Sequence, residues 1–328
     1  MTSKRYLVTG GCGFIGSHLC EALASAGHAV RVLDDLSTGR RENLVPGAEL
    51  VAADISDTAA LRDAVADVDG CFHLAAIASV ERGVRDWVGT HRINLGGTVA
   101  LFDAVRARPD QRRVPVVYAS SAAVYGDGAM PPITEDAPCR PLSAYGADKY
   151  GSELHARVAS HVHGIPTVGL RFFNVFGPRQ DPASPYSGVI SIFCERLLRD
   201  AALDVFGDGG QTRDFVYVSD VVAALLAAMA RSGSGSAVFN VCTGQPISVL
   251  DLATTIATLC NRPARLHHRP GRSGEIRHST GAPEFLRSSL GLGAPIPLAT
   301  GLEKVLAWMR GTLNASEIGQ NQPQDHRP

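Results

Sequence analysis

Residues 7–19 read LVTGGCGFIGSHL: an apolar run that stops at Thr9, glycines at positions 10, 13 and 16, and then a helical pattern. Glycine at that spacing serves three physical ends. The chain turns tightly, an anionic group can approach the backbone closely, and the helix packs hard on the strand before it. The start of the helix adds unpaired N–H groups and positive potential, which suit a pyrophosphate. The stretch therefore predicts a strand, a phosphate-binding turn and a helix from about Phe14 to Ser25.

The pattern repeats outward from there. RYLVTG, AVRVLDD, AELVAAD, GCFHLAA, VPVVYASS and PTVGLRFFN read as strands, and helical patterns cover about Thr58–Ala66, Val84–Arg106 and Tyr145–His161. Short apolar runs that alternate with helices predict an α/β fold, a doubly wound parallel sheet covered on both faces. After NVFGPRQDP the rhythm loosens, with a helix near Gly188–Leu198, a turn, strand and helix in FGDGGQTRDFVYVSDVV, and a polar loop in GRSGEIRHS. This half predicts a smaller α/β lobe over the sheet. The closing SEIGQNQPQDHRP is polar and is expected to be disordered.

Composition narrows the function. The 328 residues, 45% hydrophobic and 19% charged, can bury a large core. A formal net charge of -1 leaves no basic field for nucleic acid or an anionic membrane surface. Seven dispersed cysteines lack the paired spacing of a zinc or redox site, and His155, His161 and His163 lack that of a zinc pair, so no metal is expected. The first strand pattern begins by about Tyr6 and no apolar run reaches a membrane span, so a cytoplasmic protein is expected.

Asp34 ends the second strand pattern, in VLDDLSTG. Its carboxylate can accept hydrogen bonds from the hydroxyls of an adenosine ribose, and with Asp35 it would repel a 2′-phosphate, favouring NAD over NADP. Arg40 and Arg41 follow closely and are the groups that could favour the phosphate instead.

SAYGADKYGSE carries Tyr145 and Lys149 four residues apart, on one face of a helix. A tyrosine of ordinary pKa is a poor base at neutral pH, but a nearby ammonium and a nicotinamide cation both favour its ionised form. Such a tyrosinate could take a proton from a substrate hydroxyl while hydride leaves the same carbon. Ser121, at the end of a strand, would hydrogen-bond the substrate oxygen.

Taken in order, VTGGCGFIGSHL, HLAA, SSAAVYG, YGADK, RFFNVFGPRQDP, TRDFVYVSD and GEIRHS make almost the whole chain resemble the extended short-chain dehydrogenase/reductase superfamily, and within it the nucleotide-sugar 4-epimerases. The resemblance implies a Rossmann-type NAD-binding domain at 1–178, with about 214–243 returning to it, a UDP-sugar-binding lobe at 179–315 and a disordered tail at 316–328. Besides the glycine turn, with Gly13 and Gly16, it places cofactor contacts at Gly10, Phe14, Ile15, Asp34, Asp54, Ile55, Ala75, Asn94, Tyr145, Lys149 and Phe172. Substrate contacts fall on Ser79, Ser121, Asn174, Val189, Arg213 and Arg272, the two arginines being suited to a diphosphate. Asp148 stands where relatives commonly have serine; it could tune Lys149, and solvent exposure is the simpler expectation. Glu275 replaces a usual aspartate at the uridine-ribose contact.

Dehydratases and decarboxylating relatives carry an acid just after the position of Ser121, whereas this chain has Ala122 and Ala123. A 4-epimerase needs no such acid. Ser279 replaces a bulky tyrosine of enzymes limited to UDP-glucose and UDP-galactose, leaving room for a 2-acetamido group. The expected reaction is interconversion of UDP-N-acetylglucosamine and UDP-N-acetylgalactosamine, with the plain pair as a second substrate. A UDP-glucuronate 4-epimerase is the alternative enzyme, and a catalytically silent NAD-binding regulator the alternative class. A homodimer is expected through the helices near 84–106 and 145–161.

Overall fold

The computed structural model describes residues 2–182, 188–271 and 276–320, with side chains described except at 80, 81 and 314–320. Arg272, Glu275 and residues 321–328 of the expected tail lie outside the described residues.

The chain opens with β1 (Arg5–Thr9), α1 (Phe14–Ser25), β2 (Ala29–Asp34), β3 (Glu49–Ala52), α2 (Thr58–Val65) and β4 (Gly70–His73). It continues through α3 (Val80–Arg85), α4 (Trp87–His91), α5 (Gly97–Arg106), β5 (Val116–Ser121), α6 (Ala144–His163), β6 (Thr167–Phe172) and β7 (Asn174–Phe176). Next come α7 (Val189–Leu198), β8 (Leu203–Phe206), β9 (Thr212–Tyr217), α8 (Val218–Arg231) and β10 (Ser236–Val241). The rest is β11 (Pro246–Ser248), α9 (Val249–Cys260), β12 (Leu266–Arg269), β13 (His278–Ser279), α10 (Glu284–Leu290) and α11 (Leu298–Gln320), a helix that runs past the expected boundary at 315.

Seven strands form one parallel sheet in the order β10-β6-β5-β4-β1-β2-β3. The period of two sends adjacent strand residues to opposite faces. On one face Tyr6, Val8, Val32, Phe72 and Val117 meet Leu19 and Leu23 of α1 and Val221 and Leu225 of α8. On the other, Leu7, Leu33, Cys71, Val116 and Tyr118 meet Leu61 of α2, Leu101 and Val105 of α5, and Ala156 of α6. Both faces are buried, which is why the strands read as nearly unbroken apolar runs. Because β2 lies on one side of β1 and β4 on the other, the chain reverses direction across the sheet at the end of β1. A crevice opens there, at the carboxyl ends of the strands.

A third core joins α7, α9 and α11 to β8 and β9 through Phe193, Leu197, Leu252, Ile256, Leu302, Val305, Val205 and Phe215. Beside it β7, β11 and β13 pair with β9 in a small sheet. The single helix expected over Val84–Arg106 is instead three helices with a π-helical turn at Arg92–Gly96. Asp86 breaks the run: its backbone leaves helical geometry (φ -137°, ψ 75°), and its carboxylate caps α4 by accepting from the Gly89 N–H at 2.9 Å.

Candidate active site

A cavity of about 790 Å³ opens at the reversal point, within the roughly 300–1,000 Å³ of cofactor and ligand sites. Its floor is the glycine turn. Gly10 has φ +72°, and a Cβ there would stand 2.8 Å from the Ala75 backbone nitrogen. A Cβ on Gly16 would run into the Gly10 carbonyl. Gly13 caps α1 without a side-chain hydrogen bond, so no side chain occupies the place where an anion meets the first helical turn.

Asp34 forms one wall. Burial pushes its carboxyl pKa up, and its two oxygens accept the Cys12 and Leu36 N–H groups at 2.9 Å each. A carboxylate has further lone pairs, so acceptor capacity is left toward the cavity. Arg40 pairs with Asp181, both lining the cavity from separate loops, so of the two arginines that could favour a 2′-phosphate the one that lines the cavity is engaged by a carboxylate. Asp54 accepts the Ser56 N–H and hydroxyl at 2.7 Å each, and Ile55 packs where a Gly97 Cβ would be. These features fit a dinucleotide: a cradle free of Cβ atoms, an open helix start and an acid at the end of the second strand.

Ser121, Tyr145 and Lys149 line the same cavity. Helix α6 begins where it does because Ser143 accepts the Gly146 N–H at 3.1 Å. Its start abuts the turn after β5: a Cβ on Gly146 would lie 2.6 Å from the Ala123 carbonyl oxygen. Tyr145 and Lys149 then fall one turn apart on a buried face. The Lys149 ammonium donates to the Ala119 carbonyl at 2.9 Å and stands 5.8 Å from the centre of the Tyr145 ring. Burial raises the Tyr145 pKa, opposed by a hydrogen bond with Ser121. Burial pulls Lys149 down to about 8, opposed by the charge of Asp148. Burial of the two side chains thus works against the tyrosinate–ammonium pair that the chemistry needs.

Gly10, Gly13, Phe14, Ile15, Gly16, Asp34, Asp54, Ile55, Ala75 and Phe172 all line the cavity with the three polar residues. Asn94 lies beside that lining: its amide accepts the Ile77 N–H at 2.8 Å and donates to the Ile77 carbonyl at 3.1 Å, which leaves it one donor and one lone pair. Ser79 likewise caps α3, accepting the Arg82 N–H at 3.0 Å. Asn174, Arg213 and Ser279 gather on the small sheet, where Asn174 pairs with Phe215 and Ser279 with Arg213. Since residues 213 and 215 share a face, that register puts all three on one side of the sheet. Val189 starts α7 beside the same core. Asp148 overturns the expectation of exposure: it is 3% exposed and bonds His91 Nδ1 at 2.7 Å.

Sequence reading missed Arg82, Asp86 and Arg92, which line the cavity. It also missed the network behind β5. Glu153 accepts the Ser120 hydroxyl at 2.5 Å and the Arg171 guanidinium at 2.8 and 2.7 Å. Arg171 also donates to the Tyr125 hydroxyl and Glu135 carbonyl. A signal existed: Tyr145, Lys149 and Glu153 recur every four residues on one helical face.

A family model described as the NAD dependent epimerase/dehydratase family matches residues 6–242. A UDP-glucose 4-epimerase of Mycolicibacterium smegmatis is 39% identical over 93% of this chain and 98% of its own. The solved UDP-glucose 4-epimerase of Thermotoga maritima with UDP-glucose superposes with a TM-score of 0.89 at 34% identity, over 94% of this chain and 99% of its own. The UDP-N-acetylglucosamine 4-epimerase of Methanobrevibacter ruminantium, in complex with UDP-N-acetylmuramic acid, gives a TM-score of 0.89 at 32% identity, over 95% and 100%.

Proposed function

The chain belongs to the NAD-dependent epimerase/dehydratase family, and from that premise we propose that this nucleotide-sugar 4-epimerase interconverts UDP-N-acetylglucosamine and UDP-N-acetylgalactosamine, with UDP-glucose and UDP-galactose as a second pair. The observation that carries the reading is the convergence of Ser121, Tyr145 and Lys149 on the dinucleotide cavity, next to two alanines, Ala122 and Ala123. NAD, the family's cofactor, would supply reversible hydride acceptance in the cavity. Tyr145 takes the proton of the sugar 4-hydroxyl and returns it after the 4-keto sugar has turned its other face. Lys149 favours the ionised tyrosine, and Ser121 holds the substrate oxygen. Alanine after Ser121 offers no acid for moving a proton at carbon 5 or for managing carboxylate loss, so elimination and decarboxylation lack a residue.

Asn174, Val189, Arg213 and Ser279 would receive the UDP-sugar, together with Arg272 and Glu275, and the small Ser279 supports room for the acetamido group. The test is incubation with each UDP-sugar separately and chromatography of the epimers. Conversion of the acetylated pair is expected. Turnover of UDP-glucuronate alone would replace the substrate assignment, and inertness toward every UDP-sugar would favour the silent regulator.

The protein would act as a homodimer. Val84, Trp87 and Val88 are exposed (81%, 69% and 82%), as are Leu154, Val158 and Val162 on α6 (45%, 51% and 63%). Adjacent helices, here α3, α4 and α6, that expose apolar side chains can pair with their own copy about a two-fold axis. Sedimentation should give twice the chain mass, and Val158→Glu should give a monomer. Among the described residues no helix is long and apolar enough to cross a membrane.

A further inference from the structure

Lys149 holds the charge on which the proposed chemistry depends, yet its surroundings do little to support one. It is 3% exposed, and its one described hydrogen bond goes to a neutral carbonyl. The groups around it are Tyr145 and Asp148 of its own helix, the Ala119 carbonyl of β5 and His73 of β4. His73 bridges the Thr9 and Thr98 hydroxyls at 2.8 and 3.0 Å, and burial takes its pKa down to about 3, so it stays neutral. Glu153, one turn further along α6, is taken up by Ser120 and Arg171, so Asp148, the residue before Lys149 in the helix, is the carboxylate left to act on the lysine.

Asp148 is itself placed unusually. One carboxylate oxygen bonds the half-exposed His91 ring, across from α4, while the other is buried with no hydrogen-bond partner among the described residues. A buried acid kept for packing alone would be expected to have both oxygens satisfied, because an open one costs stability. We propose that Asp148, held by the His91 ring, is a positioning residue that keeps Lys149 cationic and so sets the pH range over which Tyr145 works; this rests on the roles given to Tyr145 and Lys149 above.

The experiment follows kcat and KM against pH for the NAD-loaded wild type and for Asp148→Asn, Asp148→Ser, His91→Ala and Lys149→Met, with thermal unfolding over the same pH range. Removing the carboxylate charge should move the alkaline limb of kcat down by roughly one pH unit, as expected for loss of a neighbouring charge, with KM nearly unchanged. The pH at which thermal stability starts to rise should move down with it, and His91→Ala should produce a smaller shift in the same direction. Asp148→Ser repeats the test with a residue common in relatives should the asparagine variant fold poorly. Asp148 variants with wild-type limbs, whether kcat is unchanged or lowered equally at every pH, overturn the proposal. If Lys149→Met is inactive in that case, the proposal alone fails; if Lys149→Met turns over like wild type, the underlying assignment fails and takes the proposal with it.

Discussion

On helix α6 the Glu153 carboxylate accepts three hydrogen bonds, two of them from Arg171, whereas Lys149, one turn earlier, donates one to a carbonyl. Both sites are buried and charged, and both tie α6 to β5. The first is closed: Arg171 is shared among Glu153, Tyr125 and Glu135, and it spans β6, α6 and the loop after β5. The second is open, with a cation of lowered pKa beside an aspartate that has one oxygen without a hydrogen-bond partner among the described residues. A fully satisfied buried charge fixes geometry, while a poorly satisfied one can change its protonation and act on a substrate. The Glu153 clamp bonds Ser120, next to Ser121, and so fixes the strand end from which Ser121 reaches the cavity.

The comparison can be broken at either end. The largest effect is expected from Tyr145→Phe, which removes the proton acceptor and should slow epimerisation by roughly 1,000-fold while leaving the unfolding midpoint near wild type. Glu153→Ala should act the other way: it leaves the Arg171 charge buried without its partner and should cost about 3–5 kcal/mol of stability, measured by denaturant unfolding. Ser121→Ala should lower kcat on the order of 100-fold without loss of NAD, read by the absorbance of released cofactor.

Lys149→Met should lower kcat by a similar factor and raise stability, the combination that separates it from the Glu153 site. The folded pKa of Lys149, about 8, lies below the ordinary 10.5. Below pH 8 both folded and unfolded chains carry the proton, and the folded state bears the full cost of the buried charge. Between 8 and 10.5 the unfolded chain binds more protons, so wild-type stability rises with pH. The advantage of the methionine variant should therefore be greatest below pH 8 and shrink above it. The smallest effect is expected outside both sites: Ser279→Tyr should reduce turnover of acetylated relative to plain UDP-sugars about tenfold. An unchanged ratio would remove the argument from pocket room.

Much of the molecule was legible because its rules are local. The parallel sheet follows from apolar runs buried on both faces, and the glycine turn from backbone geometry that other residues cannot adopt. Tyr145 and Lys149 were readable because helical spacing alone puts them on one face. What escaped depends on distant partners. Asp148 reads as a surface residue beside a lysine, and its burial comes from the packing of α6 against α3, α4 and α5 and its bond to His91 from α4. Asn94, a cofactor contact by resemblance, also ties its amide to the Ile77 backbone 17 residues away, a bond that spacing does not announce. Ser279 and Arg213 are neighbours through strand pairing across 66 positions of sequence, a register that no local pattern encodes.

The central claim, that hydride leaves carbon 4 and returns to the same carbon, is tested most directly with UDP-N-acetylglucosamine deuterated at carbon 4. Epimerisation in ordinary water should yield UDP-N-acetylgalactosamine that keeps its deuterium at carbon 4, by mass and proton spectra. Product that has exchanged that deuterium for a solvent proton would contradict the account.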